Sequence, residues 1–366
     1  MRLSRMKRQT GFTLVEFAIA MGVTTVALAA AMLAFKDATT SNQLVGLRQD
    51  VSDNLRAGMN LMEQDLIQTG TGIPTGGIAI PNTGASSCSS SLSNITRPLL
   101  TGSTYFPHCN VTLPAIEPGN TLGPFVTSPD ATGSVNTDII TVMYEDNSLT
   151  LDNNPIFLAP VGATPGCAGS INAAASSATF DTSAPCVPPS SSGSTINAGD
   201  LLMFSNSYGN ALAYVTSVSW PTVFFAKNDP FGLNQTGLAA GTLKTLQNPD
   251  TSYPPTTVTR ITMVSYYLDN ITDPLHVRLI RRVNFNAGQP VGETLENLQF
   301  TYNFNDGIAT NEVSVPSGYS ESQIRSVNLY IGARSDARLA QTQQFIRTNF
   351  QTQVSLRSMA YFNSYQ

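Results

Sequence analysis

The chain has 366 residues, 12% charged and 41% hydrophobic, with 27 Gly, 22 Pro, 4 Cys, 2 His, 1 Trp and a formal net charge of -5. Charged residues at about half the usual share exclude charge-rich disorder, a coiled coil and a typical charge-studded cytosolic surface. The wet surface must come from Ser, Thr, Asn and Gly, and the negative balance argues against a general nucleic-acid binder.

The N-terminus carries Arg2, Arg5, Lys7 and Arg8 and no acid before residue 12. Phe12 to Phe35 is then a run of 24 residues with a single charge, Glu16. As a helix it spans roughly 36 Å, more than the bilayer core. The basic leader predicts a cytoplasmic N-terminus, with everything beyond residue 36 outside. A cleaved secretory signal has a shorter apolar core. An ordinary anchor leaves Glu16 unexplained, because a carboxylate in a membrane helix costs ~2 to 3 kcal/mol on insertion scales.

The string Gly11-Phe12-Thr13-Leu14-Val15-Glu16, after a short basic leader, resembles the type III signal of type IV pilins and type II secretion pseudopilins. The resemblance implies that a membrane prepilin peptidase cuts between Gly11 and Phe12 and that the new N-terminal Phe12 is methylated. Glu16 then pairs with the Phe12 amine of its own or a neighbouring subunit as helices pass from bilayer to filament. Gly11 suits a peptidase that must approach the backbone closely, and an ion pair at low dielectric sets register more than stability.

Beyond the membrane run, Leu44, Leu47, Val51, Leu55, Met59, Met62 and Leu66 recur at steps of three and four, a helical stripe that predicts packing against a globular head. Gly70, Gly72 and Pro74 stop it. A helix over Phe12 to Thr69 is about 87 Å long. No proline interrupts it, so Gly22 and the Thr24-Thr25 pair are its softest points.

From residue 71 the sequence predicts a β-rich extracytoplasmic head. Strands are expected at Asp138 to Tyr144 and at Leu201 to Phe204 with Leu212 to Val218. A hairpin is expected from Val258 to Leu268 and Leu275 to Phe285. Leu298, Phe300, Tyr302 and Phe304, and then Val327, Leu329 and Ile331, alternate with mostly polar residues, the period of half-buried antiparallel strands. A last strand near Val354 to Tyr361 is expected to close the sheet. Residues 82 to 96 and 162 to 199 are rich in Ser, Ala, Gly and Pro and read as long loop insertions. Cys88, Cys109, Cys167 and Cys186 lie in or beside them and allow three pairings. The expected pairing is local, Cys88 with Cys109 and Cys167 with Cys186, each stapling one loop in an oxidising compartment.

The stretches Asp138 to Tyr144, Gly199 to Leu202, Tyr266-Tyr267, Leu295 to Tyr302 and Ile324 to Ser335 are similar to those of PilW-type minor pilins. That resemblance implies an α+β, pilin-like fold: a cleaved leader 1–11, an N-terminal helix 12–70 spanning the membrane over 12–35, and an antiparallel head 71–366 with long insertions. It further implies a subunit stored in the inner membrane with its head in the periplasm, later at the pilus and cell surface. There it joins other minor and major pilins, the assembly platform and a tip adhesin to prime or cap a pilus used for adhesion and twitching. A J-like minor pseudopilin of a type II secretion system shares signal and head, and a membrane-anchored adhesin or binding protein left uncleaved at Gly11 is the reading from another class.

Catalysis is not expected. His108 beside Cys109 and His276 among arginines form no nucleophile and base, and no Walker, H-E-x-x-H or G-x-S-x-G signature is present. Neither a cofactor nor a metal is expected. Asp146 to Asn154 and Asn303 to Glu312 carry the oxygen donors calcium takes, but without the spaced ladder of an EF-hand loop. Arg278, Arg281 and Arg282 are the only basic cluster outside the leader and read as a solvated strand face or intersubunit salt bridges rather than a DNA contact.

Overall fold

The computed structural model describes residues 13–81, 112–130, 133–146, 156–158, 169–181, 196–235, 241–247 and 253–362. After α1 (Leu14–Gln68) come β1 (Ile78–Ala79), β2 (Thr112–Leu113), β3 (Ile116–Gly119), β4 (Phe125–Thr127), β5 (Ser134–Asn136), β6 (Ile139–Glu145), β7 (Ile156–Leu158), β8 (Ser170–Ile171), β9 (Ser177–Thr179) and β10 (Leu201–Asn206). There follow β11 (Gly209–Tyr214), β12 (Ser217–Ser219), β13 (Thr222–Phe224), β14 (Thr256–Asp269), β15 (Arg278–Val283), β16 (Gln289–Gly292), β17 (Leu295–Phe304), β18 (Ile324–Arg338), β19 (Phe345–Ser355) and α2 (Arg357–Phe362). The class is the α+β, pilin-like one expected, a long N-terminal helix on antiparallel sheets.

β14 is the spine of an eight-stranded sheet. Its first half lies between β10 and β7, and its second half lies between β15 and β6. Because both faces are covered, most of β14 is buried and the alternation of a half-exposed strand is lost. On one face Leu201, Met203, Leu212, Ile261 and Met263 join the α1 stripe in the main core. On the other, Leu202, Phe204, Ala211, Ala213 and Val258 pack on Ile171, Ala178, Val223 and Phe225 of a small sheet ordered β12-β13-β9-β8.

β17, β18 and β19 form a second sheet beside the first. Leu298, Phe300, Tyr302 and Phe304 with Val327, Leu329 and Ile331 point into the main core, as the alternation predicts. Asp138 joins the two sheets: its N–H donates to the Leu298 carbonyl at 3.0 Å, and its carboxylate accepts from the N–H groups of Phe300 at 2.9 Å and Thr121 at 2.8 Å. Burial pushes the Asp138 carboxyl up, against the pull of those two amides.

Four sequence expectations are corrected. The last strand is β19 rather than Val354 to Tyr361; the chain turns into α2 after Ser355, where Leu356 and Met359 are buried in the core. The stretch 162–199 is not all loop, because β8 and β9 in it are anchored by Ile171, Ala178 and Phe180. β15 starts at Arg278, not Leu275, which is 66% exposed in the preceding loop. His276 lies in the same loop and not on a strand. Residues 82–96, Cys88, Cys109, Cys167, Cys186 and His108 fall outside the described residues.

Candidate functional site

Thr13 is the N-cap of α1, extended at φ -75 and ψ 151, and it makes a capping box with Glu16. The Glu16 N–H donates to Thr13 Oγ1 at 3.3 Å, and the Thr13 N–H and hydroxyl both donate to Glu16 Oε2 at 2.9 Å. Helical geometry therefore begins just past residue 12. Gly11 and Phe12 lie outside the described residues, as does any pairing of Glu16 with Phe12. The position also sets the carboxylate against the positive end of the helix dipole.

From Leu14 to Thr39 every residue is exposed, so the helix leaves the head as an arm about 39 Å long. Leu14 at 85% exposure, Val26 at 72% and Phe35 at 73% typify it. An apolar surface of this extent is not one a soluble monomer presents to water; the segment is long and apolar enough to cross a bilayer. The helix is unbroken at Gly22, and the Thr24 and Thr25 hydroxyls donate to the carbonyls of Ala20 and Met21 one turn back.

The other half of α1 is seated on the head. Val51, Leu55, Met59, Met62 and Leu66 are buried, with Leu44 and Leu47 half-buried, which is the stripe read from the sequence. Gly58 allows the helix to approach β15 and β16 closely, since a Cβ there would lie 2.9 Å from Leu279 Cδ2 and 3.3 Å from the Val291 carbonyl oxygen. Gly70 and Gly72, at φ +85 and +70, turn the chain off the helix end.

A charge sits in the middle of this seat. Asp65 on α1 accepts from Arg281 Nε at 2.8 Å and Nη2 at 3.0 Å, a bidentate pair. Its two oxygens also accept from the Tyr144 hydroxyl at 2.8 Å and the Tyr266 hydroxyl at 2.6 Å. The three partners come from β6, β14 and β15, with Tyr266 directly opposite Arg281 in the ladder. Burial, reinforced by the Asp65 charge, pushes both tyrosine hydroxyls well above their usual range, and hydrogen bonding to Asp65 raises Arg281. Both carboxylate oxygens of Asp65 are satisfied, and the cluster fixes the rotation of α1 on the sheet. The sequence does not single out Asp65, and Arg281, expected on a solvated strand face or in an intersubunit salt bridge, pairs within the chain instead; only the cost of an acid on the buried side of an amphipathic stripe marks the position.

The remaining basic residues are also engaged internally. Arg282 donates to the carbonyls of Asn286 and Phe285 and lies over the Phe285 ring, and Arg278 faces Asp269. His276 bridges two aspartates, with Nδ1 2.8 Å from Asp273 and Nε2 2.9 Å from Asp336. In the segment Asn303 to Glu312, Asp306 Oδ1 accepts from Ile308 and Ala309, and Asn303 accepts from Asn311, so these oxygens are used by the turn itself. Asp146 pairs with Arg260; residues 147–154 lie outside the described residues.

Residues 6–32 match the family described as the prokaryotic N-terminal methylation motif. No curated protein and no solved structure matches the chain. The motif supports a type IV pilin-like prepilin signal, and with an arm long and apolar enough to cross a bilayer it supports membrane anchoring.

Proposed function

We propose that the chain is a minor pilin of a type IV pilus, PilW-like, that primes or caps the filament and has a structural rather than a catalytic role. The observation that carries this reading is one continuous element. The methylation motif at 6–32 runs into a helix that is exposed over residues 14–39 and whose later part is locked to a β-rich head. In this reading prepilin peptidase cuts at Gly11-Phe12 and the subunit waits in the inner membrane with its head in the periplasm. Leu14, Val15, Ile19, Val26 and Leu28 then exchange lipid for the helices of neighbouring pilins. Glu16, freed from Thr13, takes the Phe12 amine as its partner and sets the axial register.

N-terminal sequencing and immunogold labelling of sheared pili test this together. The expected result is a methylated Phe12 terminus and label on pili, with Gly11→Leu retained as precursor and Glu16→Ala processed but absent from pili. A chain with its leader intact, or label confined to the envelope of a cell whose secretion, rather than piliation, depends on it, overturns the pilus assignment.

A further inference from the structure

We propose that the outer edge of β19 receives an extended segment of a different protein as a fourth strand of the β17-β18-β19 sheet. β19 is 11 residues long and, among the described residues, pairs only with β18. The Leu356 N–H donates to Arg325 O, and the register keeps one parity from Ser326↔Ser355 to Arg334↔Arg347. Val354, Thr352, Phe350 and Thr348 therefore turn their backbone groups to β18, whereas Ser355, Gln353, Gln351 and Asn349 turn theirs outward. Those four residues are exposed, and among the described residues nothing bonds to their outward N–H or C=O groups.

The other edges are closed, short or blocked at one end. On β17, Leu298 and Phe300 are bonded to Asp138, Tyr302 to Glu312 and Phe304 to Ala309. On β11, the Asn234 side chain both donates to and accepts from the Tyr214 backbone. β16 has four residues, one of them Pro290. Natural sheets guard an open edge with proline, charge or a bulge. From Thr348 to Ser355 β19 has none of these: its bulge lies at Arg334/Arg338, and the nearest charge on the strand, Arg347, is paired with Glu296. A row of outward donors and acceptors repeating every second residue matches the backbone of another extended strand.

A second copy does not fit, an argument that rests on the membrane reading above. Pairing two β19 edges antiparallel reverses one molecule and sends the two arms in opposite directions, which one membrane cannot receive. A two-fold along the strands sets residue against the same residue at equal height, donor facing donor, whereas parallel pairing needs an offset of one residue. The occupant is thus a segment of another chain, of low charge. It places apolar side chains beside half-buried Phe350 and the flank of α1, and polar ones beside Asn349, Gln351 and Gln353.

Hydrogen exchange of the full chain tests this, in membranes from cells that carry its partners and in detergent after purification. The amides of Asn349, Gln351, Gln353 and Ser355 are expected to slow by at least about tenfold in the membranes, while those of Thr348, Phe350, Thr352 and Val354 change little. Equal exchange in both preparations overturns the proposal. Gln351→Pro removes one outward donor and leaves the β18 ladder intact; it should lose the protection at an unchanged melting temperature, and retained protection overturns the proposal. So does a disulfide between two copies of Gln351→Cys in the membranes. The N-terminus of the same material is sequenced in parallel. A correctly processed chain with fast outward amides defeats the edge proposal alone, and an unprocessed chain with protected amides defeats the pilin reading alone.

Discussion

Removing the Asp65 carboxylate should loosen the helix from the head. Asp65 holds two N–H groups of Arg281 and two tyrosine hydroxyls, with side-chain exposures of 6% for Asp65 and 20% for Arg281. Asp65→Ala leaves a mostly buried guanidinium without its counter-charge, a loss of ~3 to 5 kcal/mol. The 20% exposure of Arg281 lets water recover part of it, which places the expected value near the lower end. Even so, ~3 kcal/mol is a large share of the 5 to 15 kcal/mol typical of whole domains. Urea unfolding of the detergent-solubilised chain reads this through Trp220, the sole tryptophan, which stacks on Phe180 in the second core at 5.9 Å. Hydrogen exchange over residues 51–70 reports the helix directly. The double variant Asp65→Ala/Arg281→Ala should cost less than the sum of the two singles by ~1 to 3 kcal/mol. A loss below about 1 kcal/mol for Asp65→Ala, or strict additivity in the cycle, refutes the claim that this cluster locks the seat.

Glycines in the two halves of α1 should respond oppositely. Gly46→Ala meets nothing and should gain ~0.5 to 1 kcal/mol of helix stability, whereas Gly58→Ala drives a methyl group into Leu279 and the Val291 carbonyl and should lose ~1 to 2 kcal/mol net of the same gain, both read by thermal melts. His276 should give a pH signature. Its hydrogen bond to Asp273, with the charges of Asp273 and Asp336, raises its pKa, so the stability it contributes is full below the unfolded value of about 6.5 and is lost as pH rises through the folded value. Asp273 is lowered in turn, so at the acid end the pair weakens only as pH falls through that depressed value. Asp50, Arg278 and Glu293 line the same 790 Å³ cleft beside α1 and belong to the same electrostatic environment. His276→Gln should flatten the stability profile above about pH 6.5, and a wild-type pH profile in that variant would discount the bridge.

The helix and the central pairing of the second sheet were legible because their periods are long and uninterrupted. The stripe from Val51 to Leu66 and the alternation from Leu298 to Phe304 each repeat enough times to outweigh local propensity. β14 was legible as a strand but not as the spine, since a strand buried on both faces carries no alternation to say what covers it. The small sheet of β8, β9, β12 and β13 was hidden because strands of two or three residues made of Ser, Ala and Thr have no pattern to read. Leu275 and His276 were misassigned because an apolar residue beside an alternating run mimics its continuation. At the candidate site, the prepilin junction is a local string and could be read directly, whereas the Asp65 cluster joins residues more than 200 positions apart, and nothing local to Asp65 names Arg281.

The seat also has a mechanical consequence. A pull along the axis of the arm loads Val51, Leu55, Met59, Met62, Asp65 and Leu66 together, in shear, because all of them lie along the line of force. A pull perpendicular to the axis would instead peel the helix off one turn at a time, starting near Leu44 and reaching Asp65 and Leu66 last. The same contacts therefore make a strong joint under tension and a weak one under bending, and the ion pair stands at the end of the peel.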